Sequence, residues 1–148
     1  MNRIGRFAMR APIGLYRVGL GGLLGRRFVL LEHTGHRSGL PRQTVLEVLE
    51  IDDHGVPVIA NGFGEGTHWY RNITADPKVN FTIGRTRSTS RADRLNHADA
   101  VAVFERYRRD HPRAAKAIGG RVGVSLVDDL GSAARHIPLF RLVHTSTP

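Results

Sequence analysis

The stretch QTVLEVLEIDDHGVPVIAN, residues 43–61, constrains the fold more than any other part of the chain. Its first nine residues are rich in apolar and β-branched side chains, and its last six read the same way. Between them DDHG carries strong turn chemistry. Two such runs joined by a tight turn predict an antiparallel hairpin. The same logic extends outward. RFVLLEHT, residues 27–34, is a short apolar run that reads as a strand. In KVNFTI, Val79, Phe81 and Ile83 alternate with Lys78, Asn80 and Thr82, the period of a half-buried strand. A Gly-Arg turn leads into TRSTSRADRL as a polar-faced return strand, and HIPLFRLV closes the series.

Helical signals are fewer. THWYRNITADP is expected to hold about two turns, capped by Thr67 and ended by Pro77. NHADAVAVFERYRRDHP is the best helix, with Asn96 as its cap, Asp99 in the first turn, an apolar stripe at Val101, Phe104 and Tyr107, and Pro112 as its stop. Residues 113–134 read as helical with a break at Gly119-Gly120. A chain of 148 residues is long enough for one domain with a real core. Short strands, tight turns and two or three helices predict an α+β, mainly β fold, a small β-barrel with helical decoration. No strand–GxGxxG–helix unit is present, which argues against a Rossmann domain.

Charge narrows the partners. Lys plus Arg is 22 against 13 acidic residues, giving a net charge of +9, and all but two of the bases are arginine. The planar guanidinium fork pairs with phosphate or carboxylate through two parallel hydrogen bonds, so an anionic partner is expected. Aromatics do not interleave with the basic residues as in single-strand binders, so nucleic acid is not expected. The absence of cysteine removes disulfides and thiolate sites, and fits a reducing, cytoplasmic compartment.

Residues 1–26 form a basic segment distinct from a domain spanning 27–148. The longest uncharged stretch within the segment is residues 18–25, too short to span a bilayer, which takes about 20 apolar residues. No secretory h-region or cleavage site is present. The segment either packs on the barrel or rests on an acidic membrane as a peripheral contact. Five glycines, at 14, 19, 21, 22 and 25, weaken an autonomous helix and favour packing.

Two stretches carry the chemistry. HTGHRSGLPRQT, residues 33–44, places Arg37 and Arg42 beside Thr34, Ser38 and Thr44, with Gly35 and Gly39 framing the loop. Glycines let successive amides converge on an anion, so this hairpin loop reads either as a phosphate cradle or as a solvated basic turn. ANGFGEGTHWYRN, residues 60–72, joins a glycine-rich loop to Trp69, Tyr70 and Asn72. It reads as a place for a flat ligand, or as a turn followed by core packing.

Taken in order, TGxRSGxPRxT, an apolar hairpin, NGxGxxxxWYRN and a following DP resemble the deazaflavin (coenzyme F420)-dependent nitroreductase family. The resemblance is strongest over residues 26–83. It implies a split β-barrel of the FMN-binding-like type, and coenzyme F420, a deazaflavin with a phosphate and an acidic polyglutamate tail. It implies that His36, Arg37 and Ser38, with Arg42, Gln43, Thr44, Val45 and Leu46, hold the phosphate region. Ala60, Asn61 and Gly62 then approach the ring, and His68, Trp69, Tyr70, Arg71 and Asn72 complete the pocket. The expected activity is hydride transfer from reduced F420 to a small acceptor such as a quinone, enone or nitroarene. The alternatives are FMN in the same barrel, or an F420 carrier without catalysis. The substrate's proton is expected from water, Tyr70 or Tyr107. A homodimer stays open.

The chain departs from the family pattern in two places. Its glycine-rich loop reads GFGEGTH, with Glu65 and without the lysine that many relatives carry in that loop, and no tyrosine-rich C-terminal segment is present. Efficient nitroimidazole activation is therefore not expected. His33 and His36 lack a third partner for a metal. Ser125, Asp128 and His136 follow a hydrolase order without a GxSxG elbow, so neither site is expected.

Overall fold

A computed structural model describes residues 27–60, 68–123 and 125–145. The elements are β1 (Phe28–Thr34), β2 (Pro41–Ile51), β3 (Pro57–Ala60), α1 (His68–Ala75), β4 (Lys78–Ile83), β5 (Thr86–Arg94), α2 (His97–Asp110), α3 (Pro112–Val122), α4 (Leu130–His136) and β6 (Leu139–His144). The strands close into an antiparallel barrel in the order β1-β2-β3-β6-β5-β4, with β4 returning to β1. Closure removes the free edges that a six-stranded open sheet would present. The N-terminal segment, residues 1–26, lies outside the described residues.

The turns obey local chemistry. Asp52 Oδ1 accepts hydrogen bonds from the His54 and Val56 amides at 2.8 and 2.9 Å, which closes the β2–β3 hairpin. Ile83 faces Thr86 across β4 and β5, so the link is a two-residue turn, and Gly84 supplies its positive φ of 59°.

Alternation sorts the core into two layers. Val29, Leu31, Leu46, Val48, Ile59 and Phe140 point into the barrel. Leu49, Val58 and Leu139 point outward, where Val103, Phe104 and Tyr107 of α2 cover them. A register shift between Val48 and Glu50 bends β2 at this layer. Trp69 and Ile73, on one face of α1, join the barrel interior. The Trp69 ring meets Phe140 edge-on at 6.0 Å.

Asn96 caps α2, its Oδ1 accepting from the Asp99 amide at 2.8 Å. Two sequence expectations change. Pro112 does end α2, but it also opens α3 as a first-turn proline, with His111 serving both helices. The break expected at Gly119-Gly120 falls instead at Gly123, whose φ of 72° makes the left-handed C-cap, its N–H donating to the Gly119 carbonyl. A helix tolerates glycine in its last turn, whereas the cap requires positive φ. Among the described residues there are four helices, and none is long and apolar enough to cross a membrane.

Candidate cofactor site

The β1–β2 hairpin pairs His33 with Arg42 and Thr34 with Pro41, leaving residues 35–40 as its loop. The Gly35 amide donates to the Leu40 carbonyl at 2.8 Å, the Gly39 amide to the Gly35 carbonyl at 2.8 Å, and the Leu40 amide to Ser38 Oγ at 3.2 Å. The Gly39 φ of 70° turns the chain back. A Cβ at position 35 would stand 2.6 Å from Ser38 Oγ, so any side chain there would have to displace the Ser38 hydroxyl. The expected nest of glycine amides is therefore different in detail. The Gly35 and Gly39 amides close the loop upon itself, and the His36 amide donates to Asn72 Oδ1 at 2.8 Å. None of these bonds uses the Arg37 or Ser38 amide.

Asn72 joins this loop to α1. Its Oδ1 also lies 2.6 Å from His36 Nδ1, and its Nδ2 lies 2.9 Å from His33 Nδ1. Asn72 is 3% exposed and His33 6%. Alternation puts His33 on the same face of β1 as Val29 and Leu31, pointing inward, opposite Arg42. Burial, and secondarily the charge of Arg42, lowers the His33 pKa from 6.5 to about 4. His33 is thus a neutral imidazole at pH 7. Its Nε2 is buried with no hydrogen-bond partner among the described residues.

Hairpin and helix enclose a cavity of about 740 Å³. The hairpin contributes His33, Gly35, His36, Arg37, Ser38, Arg42, Gln43, Thr44, Val45 and Leu46, and α1 contributes His68, Trp69, Arg71 and Asn72. Among the described residues, three arginines line it and no carboxylate does. The ion pairs among the described residues join other groups: Arg87 with Glu32, Arg91 with Asp93, Arg106 with Glu50 and Arg109 with Asp110. Arg37, Arg42 and Arg71 pair with no carboxylate among the described residues, and their guanidinium groups are placed to meet a ligand. Val45, Leu46 and Trp69 give the same cavity an apolar wall. A molecule anionic at one end and flat and apolar at the other matches this lining.

The structure thus brings together most of the residues named from the sequence, and adds His33 and Gly35. The signal for His33 was present in the alternation of β1. Asn61 and Gly62 lie outside the described residues, and Ala60 ends β3 without lining the cavity. Tyr70 also sits outside it, with its ring 5.8 Å from Phe140 and its hydroxyl accepting from Arg94 at 3.2 Å. Tyr107 is placed elsewhere altogether. It is 3% exposed beneath α2, and its hydroxyl donates to Glu47 Oε1 at 2.7 Å. The helical stripe that buries Val103 and Phe104 draws its ring into the outer core layer. It borders a separate cavity of about 280 Å³ with Glu47, Glu50 and His111. Ser125 Oγ accepts from the Val127 and Asp128 amides in a local turn, while His136 Nδ1 pairs with Ser132. Among the described residues no group of three potential ligands stands ready for a metal.

A closed six-stranded antiparallel barrel with this arrangement is a split barrel of the FMN-binding-like type. Residues 10–126 match the model of the F420H2-dependent quinone reductase family, and the chain belongs to that family. It is an F420-dependent oxidoreductase, and the resemblance drawn from its two motifs holds. Solved structures share the fold. An F420-H2 dependent reductase, FDR-A, is 22% identical, with a TM-score of 0.57 over 80% of this chain and 95% of that one. A protein of unknown function from Agrobacterium tumefaciens C58, Atu2129, is 22% identical, with a TM-score of 0.61 over 92% of this chain and 56% of that one. HutZ, a heme storage protein from Vibrio cholerae, is 12% identical, with a TM-score of 0.57 over 82% of this chain and 84% of that one. No curated protein matches the sequence.

Proposed function

We propose that the cavity between the β1–β2 hairpin and α1 is the F420 site, and that the protein reduces a quinone or a similar small acceptor there. The observation that carries this reading is the cavity lining, in which the described residues set three arginines and no carboxylate beside an apolar wall. Its volume is within the usual range for small-molecule pockets, roughly 300–1,000 Å³. Arg37, Arg42 and Arg71 hold the phosphate and acidic tail, with Ser38 and Thr44 adding hydroxyl donors. Val45, Leu46 and Trp69 receive the ring and keep water from it. Bound F420 supplies the hydride; the chain supplies position, charge and exclusion of water.

Trp69 is the one tryptophan in the chain and it lines the cavity, so its fluorescence reports occupancy. Titration with F420 is expected to quench it saturably, and titration with FMN to do so more weakly, because FMN lacks the polyanionic tail. Saturable FMN binding with no response to F420 would assign the cavity to the flavin instead.

A further inference from the structure

The three-residue contact at Asn72 determines where two histidine protons sit. The His36 backbone N–H can only donate, so the Asn72 atom 2.8 Å from it must be the carbonyl oxygen, Oδ1. The amide orientation is thereby fixed without reference to either imidazole. The same Oδ1 lies 2.6 Å from His36 Nδ1, and two acceptors cannot bond, so His36 carries a proton on Nδ1. The Asn72 Nδ2 then faces His33 at 2.9 Å as a donor. His33 Nδ1 must accept, and the proton of neutral His33 sits on Nε2. One buried amide holds two imidazoles in opposite tautomers.

We infer that Asn72 is a positioning residue that fixes a proton of His36 on Nδ1, so that the neutral ring turns its Nε2 lone pair to the F420 cavity as a hydrogen-bond acceptor for a ligand hydroxyl or N–H beside the anionic arm. This rests on the proposed function above. His36 lines the cavity, its Nδ1 is committed to Asn72, and Nε2 is the ring's remaining polar atom. A lone pair there repels phosphate oxygens and attracts a donor. The arginines and the imidazole accordingly read different parts of one ligand: the guanidinium groups its anions, and His36 a hydroxyl or N–H close by. The low pKa of His33 agrees with its part of the arrangement, because a protonated His33 could no longer accept from Asn72.

The deciding measurement is the long-range 1H–15N ring spectrum of the ligand-free protein, taken above the pH range where histidines titrate. His36 is expected to show a protonated Nδ1 and an unprotonated Nε2, and His33 the reverse. His36 in the Nε2–H form would overturn the inference, with no variant needed. In Asn72→Leu, His36 is expected to revert to the tautomer mixture of a free histidine; retention of the lock would also overturn it. Ligand recognition is tested with His36→Gln and His36→Phe. Gln, which keeps an acceptor, is expected to bind F420 within a few-fold of wild type, and Phe about tenfold more weakly, the loss of one hydrogen bond. Inorganic phosphate, as a probe of the anionic part alone, is expected to bind His36→Phe as it binds wild type. Equal losses of phosphate and F420 affinity would make His36 a cation for the anion and contradict the acceptor role. If wild type fails to bind F420 while both tautomers are as stated, the proposed function fails and the lock stands.

Discussion

Tyr107 donates a 2.7 Å hydrogen bond to Glu47, and this contact ties α2 to the outer face of β2. The two residues are 60 positions apart in sequence, so the bond fastens the helical layer to the barrel wall. It also removes Tyr107 from the cavity chemistry, on the far side of β2 from Leu46.

Tyr107→Phe is therefore expected to lower stability by about 1.5–3 kcal/mol in urea unfolding, the range for hydrogen bonds to charged groups. F420 affinity is expected to stay within twofold of wild type. A variant of wild-type stability that has lost turnover would place Tyr107 in the reaction.

Arg42 faces His33 across the hairpin and lines the cavity without a carboxylate partner among the described residues. Arg42→Ala is expected to weaken F420 binding by about 1.5–3 kcal/mol, the range for charged hydrogen bonds. Salt should weaken wild-type binding, and the variant's salt dependence should be shallower. Isothermal titration at two ionic strengths measures both.

His33 gives the fold a pH dependence of known sign. Its pKa of about 4 in the fold lies below its ordinary 6.5, so the unfolded chain binds more protons between these values. Its contribution is complete above pH 6.5 and is lost as pH falls through that window toward 4. The loss is about 2 kcal/mol once solvent screening beside the open cavity is allowed for. Urea melts across this range should show a slope that His33→Gln removes.

Gly35 and Ser38 are coupled through a distance of 2.6 Å between a Cβ at 35 and Ser38 Oγ. Gly35→Ala is expected to push the Ser38 side chain off the Leu40 amide, costing about 1 kcal/mol and weakening F420 binding. In Gly35→Ala/Ser38→Ala the clash is absent. The double variant should be no less stable than Ser38→Ala alone, a non-additivity that a double-mutant cycle reads directly.

Local rules carried much of this architecture. Alternation and turn chemistry located all six strands, because each strand has one face against the barrel interior or the helices. The Asn96 cap and the apolar stripe around Phe104 located α2. Barrel closure is not local: that β3 and β5 both pair with β6 follows from long-range packing. The cradle was legible in composition, with its arginines and hydroxyls, and not in backbone detail. The Gly35 and Gly39 amides turned inward because a six-residue loop must first satisfy its own backbone. Tyr107 was legible two ways, in the apolar stripe of α2 and as a possible proton source. A tyrosine in an amphipathic helix reads as a chemical group or as core packing, and only the position of Glu47 on β2 decides.

The central claim, that this cavity presents reduced F420 to a quinone, is tested most directly by anaerobic mixing of the protein with reduced F420 and a soluble quinone. The return of oxidised F420 fluorescence is followed in time. The account predicts a protein-dependent rate that saturates with F420 and falls in Arg42→Ala through weaker cofactor binding. A rate equal to that without protein for every quinone tried, with F420 shown to be bound, would contradict it and leave a carrier in place of a reductase.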